Sequence, residues 1–443
     1  LERYARELAK AAGDTLLGIE VWNEYHNAGF AGPFSTNPDV FAQLHRSIYK
    51  GLQSAGTGAL TIGFDEDPWG FIETQIIQKT LDVLGDEKAM DAVSLHPYAL
   101  DGSALENNER LDGFVGGTLD AMKQHGYSDD TPLYITEFGW SDSLFNFDYE
   151  KRAAYIIRAM AYYSAKYPNL ATLCNYNLFD YADVWSAGNI SEGTFGLVES
   201  YDAAGTEIPH LAKPLYTAFA YWNNLAAGNK FIGYVDGIDS QKEAGYIFKD
   251  RNGENYMILA NLEENDKNIG IKLGVDSVTV SDIYGNEKKL YGVDGVFSFR
   301  LNKNRVIYVR GNFEKAEKTQ AVLFPDKTEF NIPKGGSTKV LLTAPKGFNG
   351  NFECEWHDTL SSASGGDIKN GSAEAVLRGL ELPKDGKIKL SVTSGGKLYY
   401  ETEASVTYSP SGKTSDVRIE NTGGTTSLWD VVFNVENIRN DRK

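Results

Sequence analysis

Two short segments end an apolar run on a glutamate. Gly18-Ile19-Glu20-Val21-Trp22 leads into Asn23 and Glu24, and Leu133-Tyr134-Ile135-Thr136 leads into Glu137, followed by Phe138, Gly139 and Trp140. Each run reads as a buried strand that delivers a carboxyl group at a rigid end. Two carboxyl groups flanking one bond can divide the work of glycosidic hydrolysis. One holds a proton for the leaving oxygen, and the other attacks or activates water. A glutamate after an apolar strand is commonly a solvated helix cap, but Trp22 and Asn23 at the same strand end are unusual for a simple cap. A third run ends on His96-Pro97-Tyr98. An imidazole and a phenol there could orient a nearby carboxylate, or could form a satisfied buried pair that holds loops.

The elements around these residues alternate. Thr15–Asn23, Ala59–Phe64, Asp91–Tyr98, Pro132–Phe138 and Leu170–Phe179 read as strands. Helices are expected at Asn37–Ala55, Gly70–Leu84, Arg110–His125, Tyr149–Lys166 and Pro209–Ala226, the first with Asn37 as cap and Pro38 in its first turn. Such alternation predicts an α/β fold with a parallel sheet and helices outside it. No G-x-G-x-x-G turn follows a strand, which argues against an open nucleotide-binding sheet. Chemistry-bearing residues at the C-terminal ends of several strands suit a (β/α)8 TIM barrel. Residues 1–227 hold five strand–helix units rather than eight, so they read as strands 4–8 of a barrel. Strands 1–3 are then missing before Leu1, and a separate chain or segment is expected to supply them, because half a barrel leaves an unpaired edge and a cut core. After about residue 228 the period changes to two. Residues 228–312 predict an antiparallel β-sandwich, Gly311–Thr319 a charged linker, residues 320–410 an immunoglobulin-like sandwich, and residues 411–443 the start of a further β module.

These residues resemble the glycoside hydrolases of clan A, in which an Asn-Glu pair ends strand four and a glutamate ends strand seven. Counting Thr15–Asn23 as strand four makes Pro132–Phe138 strand seven, with two intervening strands in place. His96-Pro97-Tyr98 matches a His-x-Tyr common on the sixth strand. Lys213-Pro214-Leu215-Tyr216-Thr217-Ala218-Phe219 looks like the last barrel helix of family 39 and family 5 relatives, and Ser281–Asn286 with Val306–Val309 resembles the small sandwich that follows such barrels. The resemblance covers roughly residues 1–312 and assigns no exact family. It implies a retaining β-glycosidase with Glu24 as acid/base and Glu137 as nucleophile. Asn23 would bind the sugar 2-hydroxyl, and Tyr98 or His96 would orient Glu137. It also implies a carbohydrate substrate, no metal or organic cofactor, and an extracellular or cell-surface location. The family usually has a tryptophan on strand eight. Here that run is Asn175–Asp180, so Tyr176 or Trp185 would take its place. This departure leaves room for a second reading, a carbohydrate-binding or structural surface protein that keeps the barrel without turnover.

Further candidates are Trp140 and Trp185 as sugar platforms or as packing at the rim, and Tyr25 and His26 as cleft residues beside the acid. Asp65, Glu66 and Asp67 read as a solvated loop, although Trp69 beside them could face a substrate. Asp180 and Asp183 read similarly, and Trp356 and Trp429 read as sandwich-core residues. The chain of 443 residues carries a net charge of −18, which makes nucleic acid and anionic membranes poor partners. No apolar run approaches the ~18 residues of a spanning helix. Aromatic residues make up 12%, a share that suits sugar stacking but also β-rich domains. Cys174 and Cys354 form neither a disulfide framework nor a metal spacing, and Cys174 is expected to be buried and inert. The chain starts at Leu1 and shows no leader peptide. No G-x-S-x-G elbow is present, which argues against a serine hydrolase.

Overall fold

The structure is a computed structural model that describes residues 1–99, 102–106, 108–181, 190–201, 206–303, 305–333, 335–355, 360–379 and 385–409. Five short apolar segments form parallel strands: β1 (Gly18–Glu20), β2 (Leu60–Glu66), β3 (Ala92–Leu95), β4 (Leu133–Phe138) and β5 (Leu170–Asn175). They pair in sequence order, β1-β2-β3-β4-β5, into a curled half-barrel sheet. Helices Pro38–Ala55, Ile76–Leu84, Glu109–Gln124 and Tyr149–Lys166 connect successive strands. The first starts as its residues dictate: the Asn37 side chain accepts from the Asp39 and Val40 amides, and Pro38 occupies the first turn, where no amide is needed. Phe41, Phe64, Ile77, Val93, Phe114, Ile135 and Ile157 interlock in one core between sheet and helices.

The sheet is open. β3 is buried at every position and β2 at all but its first, whereas β1 and β5 are largely half-exposed. Among the described residues no strand pairs with the outer edge of β1 or of β5. Cys174 lies on that outer strand and is exposed, contrary to the buried position expected from its apolar run.

Other boundaries differ for local reasons. The helix expected at Gly70–Leu84 is two, Pro68–Ile72 and Ile76–Leu84, broken at Gln75, whose φ is 56°. The closing helix starts only at Pro214, which needs no amide partner in the first turn. The residues before it form strand β7 (Glu207–Ala212), paired antiparallel with β6 (Val198–Tyr201).

Beyond Ala226 the regular elements among the described residues are all strands. A six-stranded sheet with a three-stranded sheet extends from Lys230 to Thr319. Its last strand, Glu317–Thr319, pairs with Lys267–Lys272 and lies inside the stretch read as a linker. Trp222, Phe248, Tyr256 and Tyr308 belong to the same core as the half-barrel residues, so this sandwich is packed onto the α/β unit. A four-stranded and a five-stranded sheet follow between Phe324 and Ser409, with their own core around Val340, Phe352, Leu377 and Tyr400. The expected module at residues 411–443 lies outside the described residues. Among the described residues no helix is long and apolar enough to cross a membrane.

One buried ionic cluster ties the half-barrel's last loops together. Lys213 donates to Asp142 at 2.5 Å and to Asp180 at 2.8 Å, while Arg152 donates to Asp142 and to the Gly196 carbonyl, both at 2.9 Å. All four side chains are buried. Removing one ion from such a cluster strands opposite charges in a poorly solvated place. Lys213→Met is therefore expected to cost about 3–5 kcal/mol, read as a fall in the urea midpoint. The exposed pair Lys387–Glu403 is the control. Its Lys387→Met change is expected to cost less than about 1 kcal/mol. Equal small losses at both positions would show that the buried cluster does not hold the loops.

Candidate active site

The strand ends carry the site. After β1 the chain turns sharply through Trp22 and Glu24, with φ values of 85° and 43°. Positive φ is uncommon for such side chains and persists where neighbouring structure enforces it. Here the Glu24 amide donates to the Asp65 carbonyl at 2.8 Å, pinning the turn to the end of β2. The pairing of β2 with β3 shifts register between Phe64 and Glu66. Such a bulge re-aims side chains. The His96 amide then donates to the Glu66 carbonyl at 2.7 Å, fixing the end of β3.

These backbone ties bring Glu24, His96, Tyr98 and Glu137 together. One oxygen of Glu24, one of Glu137 and a ring nitrogen of His96 all lie within 4.8 Å of one another. His96 Nδ1 is 3.1 Å from Glu24 Oε1 and 3.8 Å from Glu137 Oε2. The Tyr98 hydroxyl donates to Glu137 Oε2 at 2.8 Å. The group opens into a cavity of about 750 Å3 whose lining includes Asn23, Glu24, Trp69, Tyr98, Glu137 and Tyr176. Trp69 is half-exposed there, as is Phe30.

The electrostatics are uneven. Burial pushes the Glu137 carboxyl above its usual range. The neighbouring charge of His96 and the Tyr98 hydrogen bond oppose this, while the charges of Glu24 and Asp65 add to it. Burial works against charge on the His96 ring, but hydrogen bonds to Asp65 and Glu24 and the surrounding carboxylates outweigh it and lift its pKa to about 10. Burial, and then the charge of Glu137, push the Tyr98 hydroxyl well up, so it stays a donor.

The structure separates the sequence candidates. Asn23, Glu24, Tyr98, Glu137 and Tyr176 line the cavity, and His96 lies beneath the two glutamates. Tyr25 does not line it: the ring is 1% exposed, stacks on Phe41 at 4.1 Å, and donates its hydroxyl to the Asn37 carbonyl. His26 turns away as well, with Nδ1 2.6 Å from Glu66 Oε2. Trp140 is 1% exposed and packs edge-on against Tyr155, which makes it a core residue rather than a platform. Glu137 faces the cavity, and the chain beyond β4 buries Trp140 against Tyr155 of the helix Tyr149–Lys166. Trp185, Asp183, Trp356 and Trp429 lie outside the described residues.

Other site residues carried no clear signal in the sequence. Asp65 and Glu66 are buried rather than solvated. Asp65 bonds to His96 Nε2 and Thr136, and the Glu66 carboxyl fills space that Gly70 leaves free. Phe30, Arg110, Glu192 and Phe195 reach the cavity from loops and helix starts, where no periodicity marks them. Among the described residues two groups, Glu24/His96/Glu137 and His26/Glu66/Asp67, are compact enough for a cation. Within them Nδ1 of each histidine meets a carboxylate oxygen, at 3.1 and 2.6 Å.

The fold defines a class: the chain has a glycoside-hydrolase-type fold, an α/β half-barrel followed by β-domains. No family model and no curated protein matches the chain. Among solved structures it is similar to a family 39 glycoside hydrolase from the gut symbiont Bacteroides cellulosilyticus WH2, with 18% identity, a TM-score of 0.50 and coverage of 69% of this chain. The chain spans 60% of the length of that structure. It is also matched to a family 51 arabinofuranosidase from Xanthomonas axonopodis pv. citri (14% identity, TM-score 0.45, 66% of this chain and 65% of that one). A third match is a family 86 β-porphyranase from Bacteroides plebeius (12% identity, TM-score 0.41, 78% of this chain and 72% of that one). At these identities the likeness is one of fold.

Proposed function

We propose that this chain carries both catalytic glutamates of a retaining glycoside hydrolase, akin to families 39 and 5, that cleaves β-linked polysaccharide or oligosaccharide. The observation that supports it is the approach of one oxygen of Glu24 and one of Glu137 to within 4.8 Å at a shared cavity. Retaining enzymes hold their carboxyl groups about 5–5.5 Å apart, inverting ones about 6.5–9.5 Å apart, with room for water between.

In the first step a Glu137 oxygen bonds to the anomeric carbon as the glycosidic C–O bond breaks, and Glu24 gives its proton to the departing oxygen. In the second, Glu24 takes a proton from water, whose oxygen displaces Glu137 from that carbon. Two inversions give net retention. Tyr98 keeps one Glu137 oxygen engaged, so the other is the attacking atom. Asn23 at the cavity wall is the partner for the 2-hydroxyl. An extracellular or cell-surface location accompanies this reading.

The unpaired edges of β1 and β5 support a further element of it: three parallel strands from another chain or segment close the barrel. The same open sheet favours a second reading for the chain by itself, carbohydrate binding without turnover. Incubation with aryl β-glycosides and mixed β-glycans separates the two. Release of aglycone and reducing ends with retained anomeric configuration is expected. Binding without release would favour the second reading, and inverted product would overturn the double displacement.

A further inference from the structure

Behind the two glutamates stands a third carboxylate that no step above uses. Phe64 and Asp65 take φ values of 76° and 53° at the register shift of β2, and Asp65 is 3% exposed. Its Oδ1 accepts from the Thr136 hydroxyl at 3.0 Å and lies 2.8 Å from His96 Nε2. The opposite ring nitrogen, Nδ1, lies 3.1 Å from Glu24 Oε1. The ring is 1% exposed, so water cannot take the place of either partner.

The chemistry of these contacts is restrictive. An ionised carboxylate only accepts hydrogen bonds, and a neutral imidazole has one N–H. Two ring nitrogens that each face an ionised carboxylate are both satisfied only when both carry hydrogen, whereas a Glu24 that still holds its proton can donate to a bare Nδ1. The Thr136 hydroxyl, directed at the same Asp65 oxygen, favours an ionised Asp65.

We propose that Asp65 is a positioning residue of the site, holding His96 doubly protonated so that one fixed positive charge stands between Glu24 and Glu137. This takes the two glutamates as the reacting pair, as proposed above. Two carboxylates so close repel strongly in a partly dehydrated cavity. The imidazolium offsets that repulsion. It also donates to Glu24 in the second step, when Glu24 must exist as a carboxylate to accept a proton from water. Asp65 never meets substrate, so its effect is carried by the ring.

The groups facing this cluster come from every neighbouring strand. They are Glu24 from the turn after β1, Asp65 from β2, Tyr98 two residues beyond the ring itself, and Glu137 from β4. Tyr176 stands behind Tyr98 after β5. Glu20 on β1 acts on Asp65, and its own carboxyl is lifted to about 7 by burial and by the Asp65 charge. Because Glu20 titrates in the same range as an ordinary histidine, the ring itself is the decisive readout.

The test is a 15N ring spectrum of the full chain, with His96 assigned among six histidines by its loss in His96→Gln. In the wild type both His96 nitrogens are expected to be protonated at about pH 8, above the ordinary histidine range of about 6–7. In Asp65→Asn, whose amide can either donate or accept, the ring is expected to become neutral at that pH. The kinetic counterpart is a kcat loss in Asp65→Asn about tenfold larger at about pH 8 than at about pH 5.5, with KM changing less. A neutral wild-type ring at about pH 8 overturns the proposal even if the variant fails to fold, and so does a variant ring that stays doubly protonated. If the wild type turned over no glycoside, the glycosidase reading would fail while the ring result still decided the role of Asp65.

Discussion

Glu137→Gln is expected to lower kcat on an aryl β-glycoside by on the order of 10⁴–10⁶-fold while the protein stays folded. The amide is nearly isosteric, and its oxygen can still accept from the Tyr98 hydroxyl, which now sits 2.8 Å from Oε2. What is lost is the negative charge that makes the carboxylate oxygen nucleophilic toward the anomeric carbon, so no glycosyl-enzyme forms. The wild-type pH profile should carry the same signature. Burial holds the Glu137 carboxyl above its ordinary value. A nucleophile must be ionised, so the rate is lost as pH falls through that raised pKa. The acid limb of kcat/KM should therefore lie above the pH at which a free glutamate titrates, about 4.3. A Glu137→Gln variant with near wild-type turnover would remove Glu137 from the mechanism.

Glu24→Ala should behave differently from the nucleophile change, and the difference separates the two roles. Loss of a general acid/base is expected to cost about 10²–10⁴-fold on substrates with poor leaving groups. Activated aryl glycosides need little protonation to depart, so their first step survives and the glycosyl-enzyme accumulates. Azide needs no base to attack, and the missing side chain leaves room beside Asn23 at the cavity wall. Added azide should therefore restore turnover and yield a glycosyl azide of the substrate's own configuration, read by proton NMR. Absence of rescue, or a product of inverted configuration, would contradict the assignment of Glu24.

Much of this site was legible because strand ends are. The runs before Glu24, His96 and Glu137 are apolar and short, and an apolar strand between helices has few places to end. The ordinal position of those strands in the sheet follows from their order in the chain, and the hydrogen-bonded neighbours repeat that order, β1 beside β2 through β4 beside β5. What lay hidden depends on departures from regular geometry. Asp65 looked like one of three solvated acids because nothing in Phe64-Asp65-Glu66 marks a bulge, and no glycine announces the positive φ values found there. Trp140 and Tyr25 are hard to place for the opposite reason: aromatic residues beside a cavity glutamate suggest sugar contacts, but both lie past the ends of their strands, where the irregular chain turns them onto Tyr155 and Phe41 in the core. The strand Glu317–Thr319 was missed because three charged or polar residues at a sheet edge carry almost no alternation.

The strict neighbour order of the parallel sheet also bears on how the molecule comes into being. Among the five described strands each docks on the one made just before it, so each loop closed between them is short. On the ribosome such a sheet lengthens by one strand and one helix at a time. Glu24 follows the first of these strands and Glu137 lies on the fourth. The nascent chain thus exposes Glu24 long before Glu137. Under the proposed chemistry it stays silent until β4 docks and brings the second carboxylate alongside the first.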